Sequence, residues 1–290
     1  MSMDNQTNSQ ASQLKAEGRR ALSFQISINT YCLWLFLACV SIELVLVACD
    51  AVITYGRATD LAMIRRLFNI TREDGLASWF AVTQTSFVAL TTWTILAVSW
   101  RRERRTRRCL AWLFIALFFS YMSMDDGSKF HERIGSAIKH MAETKEDSAT
   151  AEPSFGDALI RTYPSYGWQL AFLPFFAGAG LFMLVFLGRE LRGIALIVLF
   201  VTALALYGFA VGLDFIEGMD QKHPLNIHEH IRAAFDLRTY TVRHFSKSLE
   251  EFSEMLGTTL LWVVFLLHLA HVAPKIHVEF SPSTSSAPAG

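Results

Sequence analysis

The chain alternates between long apolar runs and shorter polar segments. Six runs approach the ~20 residues that an α-helix needs to cross the ~30 Å hydrocarbon core of a bilayer. The third run is short for a span unless its helix continues past Asp125. The pattern therefore predicts an all-α fold, a polytopic membrane bundle of six transmembrane helices. The predicted spans are roughly 29–50, 77–100, 109–125, 168–187, 193–214 and 256–273.

The polar segments at the two ends of the chain are predicted to be tails of a single membrane domain. Residues 1–28 and 274–290 are rich in small and polar residues, which is typical of disordered segments. Residues 29–273 are predicted to form the six-helix domain. The first apolar run is too long for a signal peptide and lacks a small-residue cleavage site, so we interpret it as an uncleaved span.

The arginine-rich loops set the predicted orientation. Short loops dense in arginine stay on the cytoplasmic side, and residues 101–108 and 188–193 are such loops. We therefore predict a multi-pass protein of the inner (plasma) membrane with both termini cytoplasmic. Two long outer loops, roughly 126–167 and 215–255, then face outward. From about Asp236 the second loop has the pattern of a helix that extends helix six above the membrane.

Composition narrows the class of function. The chain is 52% hydrophobic, and 26 basic residues balance 26 acidic ones. A chain without net charge offers no broad basic surface, so a nucleic-acid partner is not predicted. None of the four cysteines stands in a C-x-x-C spacing, so the sequence predicts neither a disulfide framework nor a thiolate zinc site.

Carboxylates gather at the predicted outer boundary of the membrane, where ionised groups are costly and call for an explanation. The central stretch directly follows the third apolar run and carries Asp125, Asp126, His131 and Glu132. Asp125 and Glu132 are seven residues apart and share a face if the helix continues. The other acids at this boundary are Asp50, Glu73, Asp74, Asp214, Glu217, Glu250, Glu251 and Glu254.

A divalent metal is the preferred explanation for this surplus of acids. Lys129, Arg133, Arg243 and Lys247 neutralise only part of the set, and buried unpaired carboxylates are strongly unfavourable. Carboxylates with an imidazole suit Ca²⁺, Mn²⁺, Fe²⁺ or Zn²⁺. The predicted ligands are Asp125, Asp126, His131, Glu132, Asp214, Glu217, Glu250, Glu251 and Glu254; of these, Glu132, Glu251 and Glu254 are the candidate general bases.

Several polar residues have two open interpretations. Glu43 and Asp50 share a face of the first span, and either extend the site inward or form interhelical hydrogen bonds. The histidines of the second outer loop are either ligands or polar surface groups. They are His223, His228, His230 and His244, whereas His268 and His271 are interpreted as interfacial residues without a role.

Four motifs carry a resemblance. They are Arg72-Glu-Asp-Gly75 with Trp79-Phe80, Asp125-Asp-x4-His-Glu132, Asp214-x-x-Glu-Gly218, and Glu250-Glu-x-x-Glu-Met-x-Gly257. Over roughly residues 29–272 the chain resembles a family of largely uncharacterised bacterial multi-pass membrane proteins. The resemblance implies a six-span fold and no settled activity. Asp126 stands where the family pattern has Glu, which shortens the reach of that carboxylate.

Three functions fit these observations. The first is a metal-dependent hydrolase that acts on a lipid or lipid-linked substrate at the outer face, with metal-activated water. The second is a non-catalytic accessory or structural membrane protein, whose acids pair with basic residues of the outer loops. The third is an ion or proton-coupled transporter that uses Glu43 and Asp50, although no inverted repeat supports it.

Overall fold

The computed structural model is an assembly of α-helices. It describes residues 27–103, 106–147, 162–220 and 223–274, and the predicted tails lie almost entirely outside these ranges. A π-helix, Asp50–Tyr55, continues the first helix. In chain order the helices are α1 (Ile28–Cys49), α2 (Ala62–Phe68), α3 (Leu76–Glu103), α4 (Thr106–Ser128), α5 (Phe130–Asp147), α6 (Gly167–Glu190), α7 (Ile194–Glu217), α8 (Ile227–Ala234) and α9 (Thr239–Val272).

Six of these helices are long and apolar enough to cross a membrane: α1, α3, α4, α6, α7 and α9. The predicted fold class, a six-span polytopic bundle, is confirmed. Helix α4 continues past Asp125 to Ser128, which gives the third span its missing length. Helix α9 is a single helix of 34 residues, so the predicted extension of the last span is also present.

Helix α9 holds the bundle together. It packs along α7, α3 and α1, while α3 packs along α4 and α5 along α6. The core at this crossing contains fully buried aromatic side chains from α4, α7 and α9, namely Trp112, Phe119, Phe200 and Phe265. Many large apolar side chains of α1, α6 and α7 face outward instead, which suits contact with lipid tails that are as apolar as they are.

The two ends of the bundle differ in charge. At the arginine end α3 gives way to α4 and α6 to α7, and Arg108 Nε donates to Glu190 at 2.7 Å. At the carboxylate end α1, α4 and α7 finish and α3, α6 and α9 begin. Because the spans alternate in direction, acids from distant parts of the chain meet at this end.

The helix is interrupted between α4 and α5. Lys129 adopts a left-handed conformation with φ 50°, so the helix stops at Ser128 and restarts at Phe130. The prediction that Asp125 and Glu132 share one continuous helical face is therefore wrong. Asp125 instead accepts the backbone N–H of His131 at 2.9 Å and contacts the His131 ring, so it satisfies an open donor at the start of α5.

Glycine permits the close approach of α5 to α6. A Cβ on Gly135 would lie 2.4 Å from the backbone of Trp168. The absent side chain lets the two helices touch, and the rings of His131 and Trp168 then meet edge to face at 4.6 Å. This contact fixes one wall of the cavity described next.

Candidate functional site

A cavity of about 420 Å³ opens at the carboxylate end of the bundle. We call it the carboxylate cavity. Helices α4, α5, α6, α7 and α9 supply most of its lining, and its volume falls within the roughly 300–1,000 Å³ range of small-molecule sites. One part of its wall is acidic and the other is apolar, with phenylalanine, leucine and methionine side chains.

The acidic part holds eight of the nine predicted metal ligands. Seven carboxylates line it, with Lys129 and His131 as the basic lining residues. The carboxylates belong to Asp125, Asp126, Glu132, Asp214, Glu250, Glu251 and Glu254. Helices α4, α5, α7 and α9 therefore bring acids from three separate stretches of sequence to one space.

Glu217, the ninth predicted ligand, does not line the cavity. Its Oε2 is buried and has no hydrogen-bond partner in the part of the chain that the structure describes. Its carboxylate lies close enough to Tyr166 to act on the phenol. Burial, together with the carboxylates of Glu217 and Asp214, raises the pKa of Tyr166 to about 12.

Two lysines compensate part of the acidic charge. Lys247 Nζ lies 2.6 Å from Glu250, 3.8 Å from Asp214 and 4.0 Å from Glu251. Lys129 Nζ lies 3.2 Å from Glu132. Burial alone would lower the pKa of Lys129, but the carboxylates of Glu251 and Glu132 outweigh it and raise that pKa above its ordinary value. Lys129 therefore stays charged.

Other oxygens in the cavity are held by neutral donors or by none. Asp214 Oδ2 accepts from Trp168 Nε1 and Gln169 Nε2, each at 3.0 Å. Glu250 Oε2 is buried without a hydrogen-bond partner among the residues the structure describes. Within the same described ranges, Glu254 has no hydrogen bond or ion pair through its carboxylate. The cavity thus has unused acceptor capacity.

The apolar part of the cavity runs between α6 and α7. These helices are joined by a short turn yet contact each other over few residues. Gly180 and Gly208 line the gap, and a Cβ on either would meet nothing within 4 Å. Leu181 also lines it while remaining 62% exposed. The cavity therefore reaches the lipid-facing surface of the bundle.

The motif that begins at Glu250 acquires a structural meaning. Glu250, Glu251, Glu254 and Met255 all line the cavity. At Gly257 a Cβ would stand 3.2 Å from the ring of a tyrosine on α7, so glycine lets that ring approach. The motif supplies acids on one turn of α9 and a close helix contact on the next.

Sequence reasoning missed four polar residues of the cavity: Ser78, Trp168, Tyr207 and Thr258. The Tyr207 hydroxyl lies 2.6 Å from Thr258 Oγ1 across α7 and α9. A signal for Trp168 existed, because Trp168 and Gln169 place two side-chain donors at the start of an apolar run. Tyr207 offered no such signal in the middle of its apolar span.

Asp50 belongs to a separate group of buried residues, the Asp50 cluster. Asp50 Oδ2 lies 2.9 Å from His244 Nε2 and 3.1 Å from Ser248 Oγ, and Oδ1 accepts the backbone N–H of Ile70 at 3.3 Å. His244, which the sequence left open as a ligand or a polar surface group, is instead buried and paired with Asp50. Neither Asp50 nor His244 lines the carboxylate cavity.

Glu43 forms a second separate group near the middle of its span. Its Oε1 accepts from Gln84 Nε2 at 2.9 Å and from Thr259 Oγ1 at 2.6 Å. These bonds join α1, α3 and α9. Of the two interpretations left open by the sequence, the structure shows interhelical hydrogen bonding.

The remaining candidates lie elsewhere. Glu73 and Asp74 form exposed ion pairs with arginines, and the ring of His228 pairs with Ser246 Oγ at 2.8 Å. His268 is only 2% exposed, stacks on a tryptophan and lies 3.6 Å from Glu190, so it is buried at the arginine end of the bundle. Within the described ranges, no group of three or more His, Cys, Asp or Glu side chains is arranged to hold a metal ion.

Residues 32–269 match the family described as "Domain of unknown function (DUF8692)". The match covers most of the chain, so the protein belongs to this family, in line with the expected resemblance to uncharacterised proteins. Comparisons with curated proteins and with solved structures gave no match. The carboxylate cavity is therefore the basis on which a function can be proposed.

Proposed function

We propose that this member of the DUF8692 family binds an amphipathic, membrane-borne molecule, a lipid or a lipid-linked substrate, in the carboxylate cavity. The observation that carries the proposal is the two-part lining, acidic at the helix ends and apolar where it reaches the lipid-facing surface. A purely polar ligand would leave the apolar wall unused, and an acyl chain alone would leave the acids unused. An amphiphile matches both parts.

The proposed setting is the outer face of a bacterial inner membrane. Short arginine-rich loops favour the cytoplasmic side, and the arginine end of the bundle carries such loops. Both termini are then cytoplasmic, and the carboxylate cavity faces outward within reach of molecules in the outer leaflet.

Metal-dependent hydrolysis of the bound molecule is the second candidate function. The surplus of carboxylates favours it, because Asp126, Glu251 and Glu254 line one cavity with few cations to balance them. A Ca²⁺, Mn²⁺, Fe²⁺ or Zn²⁺ ion would supply that balance and could activate water, with Glu251, Glu254 or Glu132 as general base. The described side chains would have to move to form a coordination sphere.

Metal analysis of the purified protein tests this second candidate. We would measure metal content in the wild type, in His131→Ala and in Glu254→Gln. A stoichiometric metal that both variants lose would support hydrolysis. A wild-type protein without bound metal, or a metal that both variants retain, would end the candidate and leave the binding proposal intact.

Cavity filling tests the binding proposal itself. Gly180 and Gly208 line the cavity, whereas Gly178 and Gly212 do not, and a Cβ at any of the four meets nothing within 4 Å. Leucine at Gly180 and Gly208 should therefore occupy the cavity without disturbing the packing. Leucine at Gly178 and Gly212 is the matched control.

The readout is the amphipathic material that co-purifies, quantified by mass spectrometry of an organic extract. We expect the cavity-filling double variant to lose it by roughly tenfold or more, which corresponds to about 1.4 kcal/mol of binding free energy. The control double variant should retain the wild-type amount. Equal amounts in both variants would refute the proposal.

A further inference from the structure

We infer that the head of the bound molecule carries a positive charge, as an amine or a quaternary ammonium group. The inference rests on the proposed function and adds the chemical class of the ligand. Its basis is the charge balance, the unpaired buried oxygen, the aromatic lining and the lateral opening of the carboxylate cavity.

The charge balance disfavours an anionic head. Seven carboxylates line the cavity, and the nearby bases are Lys129, Lys247 and His131. Even with each of these bases paired with one carboxyl group, four carboxyl groups have no basic partner of their own among the described residues. Like charges brought together raise the free energy of binding, whereas opposite charges lower it. A cationic head therefore binds with a more favourable free energy than a phosphate or carboxylate head.

The two lysines are already engaged. Lys247 lies 2.6 Å from Glu250, and Lys129 lies 3.2 Å from Glu132. An anionic head would have to break these pairs and expose their carboxylates. A cationic head leaves both pairs in place.

Glu250 shows where the cavity lacks a donor. Its side chain is only 6% exposed, and it lines the cavity. Its Oε1 is paired with Lys247, but no described group donates to its Oε2. A buried acceptor without a donor is unfavourable. A protonated amine would donate an N–H to it, whereas a quaternary ammonium group would bring positive charge without a donor.

Aromatic side chains stand beside the acids. Trp168, Phe176 and Tyr207 line the same cavity, together with Phe118 and Phe119. Aromatic faces attract ammonium groups through the ring quadrupole, and quaternary ammonium ligands are commonly recognised this way. Acids and aromatic rings in one space therefore suit an alkylammonium better than a metal ion or a phosphate.

The lateral opening accounts for the rest of the molecule. Leu181 and Leu184 line the cavity while 62% and 42% exposed on the outer surface of α6. A chain attached to the head can therefore leave between α6 and α7 and remain among the lipid tails. The ligand would enter sideways from the bilayer, head first toward α9.

The test compares three amphiphiles with the same twelve-carbon chain and different heads: dodecylammonium, dodecyl maltoside and dodecyl phosphate. Binding to the full-length protein in lipid nanodiscs would be measured by calorimetry for the wild type, Gly208→Leu, Gly212→Leu and Glu254→Gln. Partition into lipid is common to all four proteins. Binding that Gly208→Leu removes and Gly212→Leu keeps therefore belongs to the cavity.

We expect the ammonium compound to bind roughly tenfold more tightly than the maltoside, which corresponds to about 1.4 kcal/mol, and the phosphate to bind most weakly. Glu254→Gln should reduce the preference for the ammonium head several-fold. Glu251→Gln provides the same test if Glu254→Gln fails to purify.

Each other outcome overturns the inference. Phosphate binding as tight as ammonium binding, and sensitive to Gly208→Leu, would refute the positive head and leave the proposed function standing. A preference unchanged in Glu254→Gln would place charge recognition outside this cavity. No amphiphile binding that responds to Gly208→Leu would refute both the inference and the proposed function.

Discussion

Asp50 and Glu250 lie at the same end of the bundle and are both almost fully buried, with relative exposures of 1% and 4%. Their surroundings differ. Both oxygens of Asp50 have partners, in His244, Ser248 and a backbone N–H. Glu250 shares Lys247 with two other acids and leaves one oxygen without a donor.

The difference distinguishes an acid that stabilises the fold from an acid that is available to bind a ligand. An acid whose acceptors are all used gains its stability from the fold and has no capacity left for a ligand. An acid with an open acceptor costs free energy in the folded protein and recovers it only when something binds. Proteins commonly tolerate such costs at functional positions. The Asp50 cluster is therefore expected to govern stability, and the carboxylate cavity to govern binding.

The largest effect should come from Asp50→Ala. It would leave His244, Ser248 and a backbone N–H without their buried partner, which typically costs about 3–5 kcal/mol. Denaturant unfolding in detergent would measure the loss. Asp60→Ala, at an exposed position, is the control and should stay within about 0.5 kcal/mol of wild type. Equal unfolding midpoints for the two variants would contradict a scaffold role for Asp50.

Gly135→Ala should damage both stability and the cavity. The new methyl group would fall 2.4 Å from the backbone of Trp168 and push α5 away from α6, and such overpacking costs about 1–3 kcal/mol. Binding of dodecylammonium should weaken as well, because one cavity wall moves. Gly127→Ala is the control, since its methyl group would meet only Val82, at 3.6 Å. A normal affinity in Gly135→Ala would show that the wall is not required.

The fold could be predicted from the sequence because apolar runs report spans directly. Consecutive spans also alternate in direction, which placed Asp125, Asp214 and Glu254 at one end of the bundle without any knowledge of packing. The break at Lys129 was not predicted. Asp126-Gly127 is a turn signal just before it, but Lys129, which adopts the left-handed conformation, is itself neither glycine nor asparagine. That single residue decides that Asp125 supports the start of α5 instead of sharing a face with Glu132.

The hydrogen-bond partners of individual polar residues also could not be predicted from the sequence. His244 and Glu251 are seven residues apart, and a straight helix drifts by about 20° over that interval. The drift alone does not decide which neighbouring helix each side chain meets. Packing of α9 against α1 assigns His244 to Asp50, and packing against α7 leaves Glu251 in the cavity.

Glu254→Gln should leave stability almost unchanged, which is the opposite of Asp50→Ala. The carboxylate of Glu254 has no hydrogen bond or ion pair within the described part of the chain, so the amide removes charge without breaking a contact. We expect a change of less than about 1 kcal/mol, in either direction. The same unfolding experiment measures it. A loss as large as that of Asp50→Ala would mean that Glu254 belongs to the scaffold.

Glu43→Gln examines a third buried acid, which lies between these two cases. Glu43 Oε1 is hydrogen-bonded, while Glu43 Oε2 and Gln84 Oε1 are buried without partners. An amide at residue 43 keeps an acceptor and adds a donor, so we expect stability to change by less than about 1 kcal/mol. Ion or proton flux in proteoliposomes that is abolished by this variant would instead favour the transporter hypothesis. Glu43→Leu, which removes the acceptor, should be more destabilising.

The smallest effect concerns His228, which links α8 to α9 through Ser246. Burial and the charge of Arg243 lower the pKa of His228, with a partial offset from Glu229. The folded protein therefore binds this proton more weakly than the unfolded chain. The contribution of His228 to the free energy of unfolding is therefore fully present above the unfolded pKa of about 6.5, and it falls as the pH drops below that value.

His228→Asn should consequently flatten the pH dependence of unfolding between about pH 7 and pH 5. The exposed His230 provides the control, because His230→Asn should keep the wild-type slope. If the two variants have the same slope, His228 does not carry this dependence. A pH response confined to His228 would show that α8 is a weakly held, titratable attachment at the rim of the carboxylate end, separate from both the Asp50 cluster and the cavity.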